Sequence, residues 1–204
     1  MKNINQRVGV FVDVQNMYYS ARNLYSSRVN FSKLLETAVG WRQLIRAIAY
    51  GIKAAMPEEQ SFFDALEKAC FEVKVKDIQI FPGGVRKGDW DIGIAIDMIR
   101  LGPKLDVMVL VSGDGDYVPL LEYLRNQGHR IEVMAFGKST SGKLIPEVDE
   151  FIDLDKNPKR YLFPSKRISS RLEHQSYAGH PGSPTPTTFD ENPSRQEFEP
   201  KEIE

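Results

Sequence analysis

Two aspartates, Asp114 and Asp116, stand two residues apart directly after the aliphatic run VMVLVSG, and a third, Asp13, ends the run VGVFV. A carboxylate placed where an apolar strand leaves the core is either a turn former or part of a site. Asp116 has the stronger bland reading, because it could cap the helix that begins DYVPLL. Asp13 is harder to set aside, since Asn16 is available to cap the helix that follows it. Asp97 carries the most information. It lies in IGIAIDMIRL, a helix apolar almost all round and therefore expected to be buried, where an ionised carboxylate must be paired or bound to a cation. Arg100 offers a structural pairing at i+3. Asp89 and Asp91 open the same helix, where acids ordinarily complement the helix dipole, although Asp91 could reach the site.

Carboxylates converging on one point repel one another unless a cation sits among them. Hard oxygen ligands suit Mg²⁺ or Mn²⁺, and three histidines with no partner at ligand spacing, plus one cysteine, argue against zinc. An acidic site holding one or two such ions can activate water and stabilise the oxygen displaced at phosphorus. The chemistry expected is phosphodiester hydrolysis.

The elements that must position these acids alternate along the chain. VGVFVDV reads as a strand, NMYYSARNLYSSR and VNFSKLLETAV as helices, RQLIRAIAYGI as a strand, and PEEQSFFDALEKACF as a helix. Then follow the strand EVKVKDIQIF, the helix GDWDIGIAIDMIRL, the strand DVMVLVSG and the helix DYVPLLEYLRNQG. The strand HRIEVMAFG, a short helix SGKLIPEVD and the strand EFIDLD close the series. Continuous aliphatic runs separated by helices predict an α/β domain, a central mostly parallel sheet with helices on both faces. Ligands then bind beyond the carboxyl ends of the strands, where Asp13, Asp114 and Asp116 fall.

The chain of 204 residues, 41% hydrophobic, can fold around one core, predicted to span 1–163. From 164 to 204 it holds half its prolines and no Val, Met, Trp or Cys, so this Pro-rich segment is read as a disordered tail. A net charge of −1 excludes a uniformly basic binder but leaves room for a local basic rim. Cys70 is expected to be a small helix-packing residue, and a lone cysteine suits a reducing compartment. No secretory signal or membrane-length apolar run is visible, so a cytoplasmic protein with no membrane partner is expected.

Taken together, VGVFVDVQNMY, KGDWDIGIAIDMI, VLVSGDGDYVPLLEYLRNQGHRIEVMAFG and LIPEVDEFIDL resemble the NYN domain of LabA-like proteins, a branch of the PIN-like nuclease superfamily. The resemblance spans roughly 7–155. It rests on a strand-end D-x-x-N, a K-G-x-x-D helix start with a further aspartate six residues on, and S-G-D-x-D-[FY]. It implies a three-layer PIN-like fold, an acidic site for Mg²⁺ or Mn²⁺, and endoribonuclease activity in RNA processing or turnover. The family's acids fall on Asp13, Asp97, Asp114 and Asp116, with Asn16, Asp91 and Ser112 at accompanying positions. Asp89-Trp90 departs from the small or aliphatic residue that many relatives carry before the acid matching Asp91.

Three rival readings compete with this one. A dinucleotide site at Gly113-Asp114-Gly115 lacks its third glycine, with Val118 in its place, and its acids would repel pyrophosphate. A phosphatase using Asp13 as nucleophile would want an acid where Gln15 stands. A non-catalytic RNA-binding or regulatory module on the same fold is the live competitor. Arg86 and Lys87 before the Asp97 helix, and Lys138, Ser139, Thr140 and Lys143 after a strand end, are candidate phosphate contacts. Tyr18 and Tyr19 could stack bases. RNA is the expected partner, with single-stranded DNA not distinguished from it. The sequence leaves open both a homodimer and an unknown protein partner for the tail.

Overall fold

A computed structural model describes residues 2–53, 58–77, 79–80 and 86–163. These all fall within one compact unit, Met1–Arg167, whereas the tail expected from 164 onward lies outside the described residues. In chain order the elements are β1 (Arg7–Asp13), α1 (Val14–Tyr25), α2 (Phe31–Val39), β2 (Gln43–Lys53), α3 (Glu58–Lys68) and β3 (Glu72–Asp77). Next come β4 (Gln79–Ile80), β5 (Arg86–Lys87), α4 (Asp91–Leu101), β6 (Val107–Val111), α5 (Val118–Asn126), β7 (Arg130–Ala135), β8 (Glu150–Asp153) and α6 (Pro158–Tyr161).

Six strands form one parallel sheet in the order β3-β2-β1-β6-β7-β8, and β4 and β5 form a separate antiparallel pair. The alternation within β1 shows how the layers arise. Val8, Val10 and Val12 pack with Met17, Leu34 and Phe63 from α1, α2 and α3. Phe11 points the other way, into the core formed with Ile94, Met98, Leu121 and Leu124 of α4 and α5. Successive side chains of a strand alternate faces, so one valine-rich strand serves two helical layers. The result is the three-layer α/β domain expected, a parallel sheet with helices on both faces.

The strand order places a topological switch between β1 and β6. From β1 the chain winds outward through β2 and β3, and from β6 it winds outward the other way through β7 and β8. Helices therefore leave β1 and β6 toward opposite faces, opening a crevice at the carboxyl ends of these two strands.

A buried ion pair fixes the opposite region. Arg42 donates to both oxygens of the fully buried Glu132, at 2.8 and 2.9 Å, and to the Ala38 carbonyl. Burial alone would raise the Glu132 carboxyl, but its bonds to Arg42 and Arg130 outweigh this and hold it below the usual range.

Several local expectations are corrected. Cys70 does not pack within a helix. It is exposed at φ +67° in the turn that ends α3, where its N–H reaches the Glu67 carbonyl. The segment SGKLIPEVD forms only a single 3-10 turn, Ile145–Glu147. EVKVKDIQIF runs as β3 and then contributes β4 to a separate pair. Finally, α4 is not buried all round: Ile94, Asp97 and Met98 face inward, but Ile92, Ile96 and Ile99 face solvent.

Candidate acidic active site

The crevice is built from the last residue of β1 and the turn after β6. Asp13 ends β1 and is itself the N-cap of α1, its Oδ1 accepting the Asn16 N–H at 3.0 Å. The expectation that Asn16 would cap this helix is thus overturned, for a geometric reason. Asp13 occupies the cap, and Asn16 is free to turn its side chain across the seam, where Oδ1 accepts the Gly113 N–H at 3.0 Å. Ser112, fully buried at the end of β6, donates to Asp13 Oδ2 at 3.4 Å and accepts the Asp114 N–H at 3.3 Å. One hydroxyl therefore touches the strand-end acid and the backbone of the next.

Asp114 then caps a 3-10 turn, Gly115–Tyr117, by accepting the Asp116 N–H at 3.0 Å. The capping role assigned to Asp116 falls to Asp114, and Asp116 is left exposed at the rim. Gly113 is required by close approach, since a Cβ there would lie 3.0 Å from Thr140 Cα and 3.2 Å from the Ser139 carbonyl oxygen. The buried Tyr117 donates its hydroxyl to Asp91 Oδ1 at 2.9 Å, bringing the start of α4 to the same place.

Asp13 and Asp91 are both perturbed at this cleft. Burial first, then the nearby charges of Asp91 and Asp114, push the Asp13 carboxyl up to about 6 against the pull of its Asn16 bond. Asp91 is also raised, by burial and then by Asp114, Asp89 and Asp116, with the Tyr117 bond opposing. A cleft of about 350 Å³ opens here, lined by these three acids together with Asn16, Tyr19 and Ser139. The donor set is hard oxygen under mutual repulsion, which a divalent cation would relieve. Its spacing is not yet that of a closed ligand shell: among the described residues no three His, Cys, Asp or Glu are gathered closely enough to hold an ion.

Asp97 is not brought into this group. It lies six residues beyond Asp91, about 9 Å along the helix. There its Oδ2 accepts from Tyr50 Oη at 2.9 Å and Lys74 Nζ at 2.6 Å, with an Arg100 nitrogen 3.6 Å from Oδ1. Burial would raise its carboxyl, but Lys74 and Tyr50 together hold it below the usual range. The charge that had to be paired is paired, chiefly by a lysine from β3 rather than by Arg100. Asp91, read from the sequence as an accompanying position, faces the cleft in its place.

Of the candidate substrate contacts, Ser139 lines the cleft, its Oγ 2.9 Å from Ser20 Oγ. Lys138 is exposed, with Nζ 5.5 Å from the centre of the Tyr25 ring, and Lys143 is exposed in the following loop. Thr140 donates its hydroxyl to the Phe136 carbonyl. The backbones of Arg86 and Lys87 pair with β4, and their side chains lie outside the described residues. Tyr19 is half-exposed on the cleft wall, in edge contact with Tyr18 at 5.4 Å between ring centres. Tyr117 and Lys74 were missed by sequence reasoning. For Tyr117 a signal existed, the aromatic that closes S-G-D-x-D-[FY].

The acid-lined cleft lies at the switch point of a parallel α/β sheet, and the NYN domain profile matches residues 7–155. The chain belongs to the NYN domain family and is LabA-like. It is 27% identical over 168 residues to Low amplitude and bright protein LabA of Synechococcus elongatus, covering 73% of this chain and 84% of that one. It is also similar to the crystal structure of a Vibrio parahaemolyticus protein of unknown function, at 32% identity and a TM-score of 0.72. That likeness covers 80% of this chain and 99% of that one.

Proposed function

We propose that the protein is a metal-dependent endoribonuclease that hydrolyses phosphodiesters in RNA processing or turnover. The observation that carries this reading is the meeting of Asp13, Asp91 and Asp114 on one cleft at the β1–β6 switch point, where burial and neighbouring acids raise both Asp13 and Asp91. Bound there by Asp13, Asp91 and Asp114, with Asp116 at the rim, Mg²⁺ or Mn²⁺ would supply an activated water and charge stabilisation at the displaced oxygen. The chain's own residues do the positioning. Ser112 and the Asn16 N–H hold the two oxygens of Asp13, and Tyr117 aims Asp91. Tyr19 offers a face on which a base can stack, and Ser139 a hydroxyl within reach of a phosphate. Arg86, Lys87, Lys138 and Lys143 are proposed to steer the backbone, as electrostatic contacts rather than readers of sequence.

RNA is the proposed substrate and the cytoplasm the proposed setting. Among the described residues no helix is long and apolar enough to cross a membrane. A second reading, a non-catalytic RNA-binding module, is favoured by the open spacing of the acids. Cleavage of unstructured RNA and single-stranded DNA with Mg²⁺, Mn²⁺ or chelator, comparing wild type with Asp13→Asn and Asp91→Asn, separates the two. Metal-dependent RNA cleavage lost in both variants supports the enzyme. RNA binding without turnover in either metal establishes the module.

A further inference from the structure

The cleft that holds the acids runs on along α1, and the wall it meets there carries no charge. Among the described residues that line the cleft, none is Lys or Arg. Two ridges of α1 form this wall. On the deeper one, Asn16 is taken by the Gly113 N–H, and Ser20 Oγ accepts from Ser139. On the outer one stand Gln15, Tyr19 and Asn23, spaced i, i+4, i+8 and so successive on one side of the helix. Tyr19 is 49% exposed, its ring in edge contact with Tyr18, whose hydroxyl accepts from Arg22. Gln15 and Asn23 are exposed, and their amides have no hydrogen-bond partner among the described residues.

We propose that this outer ridge is a base-reading subsite that selects adenine in the RNA strand, next to the phosphate held at the acids. The subsite rests on the cleft taking RNA, as proposed above, and names the base it takes there. Tyr19 lies six residues beyond Asp13, about 9 Å along the helix, a span that one nucleotide covers between its phosphate and its base. A wall without cations does little for a phosphate backbone. An aromatic ring between two carboxamides suits a base, which stacks on the ring and offers its edges to the amides. Each carboxamide presents a donor group beside an acceptor. Adenine is the base that answers both. Its amino group lies between N1 and N7, so it offers a donor beside an acceptor on its Watson–Crick edge and again on its Hoogsteen edge. Cytosine and uracil offer such a pair on the Watson–Crick edge alone. Guanine's Hoogsteen edge offers two acceptors, O6 and N7, which call for the Arg or Lys that this wall lacks.

Fluorescence anisotropy of the full chain with four labelled RNA octamers tests this, each all uridine except for a central A, G, C or U. It is run in chelator, and again with Ca²⁺ to neutralise the acids. Chelator removes the ion that cleavage needs, so the ratio of affinities reads the subsite by itself. The adenine strand should bind about tenfold more tightly than the uridine strand. Gln15→Ala and Asn23→Ala should each shrink that ratio, and Tyr19→Ala should weaken every strand. All three positions are exposed, so the circular dichroism of the variants should match wild type. With Mg²⁺ or Mn²⁺, cuts should fall beside the adenine. Equal affinity for all four strands overturns the proposal, as does an adenine preference that Gln15→Ala and Asn23→Ala both leave intact. AMP that competes at the strand's own dissociation constant makes this a free-nucleotide site and overturns it too. Adenine preference without cleavage in either metal leaves the subsite standing and overturns the nuclease reading. A chain that binds no strand in either condition overturns both.

Discussion

Asn16 Oδ1 and the Gly113 N–H meet at 3.0 Å across the seam between β1 and β6, joining the first helix to the turn that carries Asp114. Gly113 is buried, so removing this acceptor leaves a donor without a partner. Asn16→Ala should therefore cost about 1–3 kcal/mol in urea unfolding, and more in cleavage than in stability, because the turn holding Asp114 loses its tether.

Asp13 makes a pH signature. Its carboxyl is raised to about 6 in the folded protein, so between about 4, its unfolded value, and 6 the folded state binds the extra proton. Its stabilising contribution is full below 4 and is lost as pH rises through 6. Asp13→Asn keeps a good helix cap and removes the charge. The variant should become more stable relative to wild type across that window, measured by thermal melts at successive pH values. A constant difference would refute the burial and repulsion described at this position.

Added Mg²⁺ should raise the melting temperature of wild type at neutral pH and that of Asp13→Asn or Asp91→Asn much less, by linkage to binding in the folded state. Equal shifts in all three would mean that the ion binds elsewhere.

Asp97→Asn should behave differently from Asp91→Asn. It strips the half-buried Lys74 of its counter-charge and should cost about 1–3 kcal/mol of stability while leaving the Mg²⁺ response in place. Asp91→Asn should keep stability and lose cleavage. If Asp97→Asn abolishes the metal response without destabilising the fold, the roles assigned to the two acids are reversed.

Glu132→Gln leaves the fully buried Arg42 charge uncompensated and should cost about 3–5 kcal/mol, read from denaturant midpoints. Its distance from the cleft predicts no change in cleavage for the fraction that remains folded.

The layers of this fold were legible because β1, β6 and β7 are buried on both faces and so carry unbroken aliphatic runs that only a covered parallel sheet can use. Asp13, Asp114 and Ser112 were legible for the related reason that polar residues at the ends of such runs emerge together. The main partner of Asp97 was not legible because a helix displays its own i+3 neighbour, Arg100, in the sequence, whereas Lys74 reaches it from a strand more than twenty positions earlier. The exposed side of α4 was hidden by the same limit. Composition shows that a helix is apolar, but not how many of its sides the remainder of one chain can cover. Cys70 followed a helical pattern to its end, and only the backbone reveals the left-handed turn.

Ser112 and Asp13 touch across 99 positions of chain. The crevice therefore has no local precursor: residues 1–101 contain Asp13 and Asp91 but lack the strand beside which β1 must settle, and the later residues supply that strand with Asp114. Long-range pairings of this kind form late, after the entropy of closing the intervening chain has been overcome. During synthesis the helices and the β1–β2 pair can assemble while the acids still stand apart. A nascent chain is thus without a complete site until β6 docks, and a ribosome-bound fragment ending before Val107 carries Asp13 and Asp91 without the strand and the turn that bring Asp114 to them.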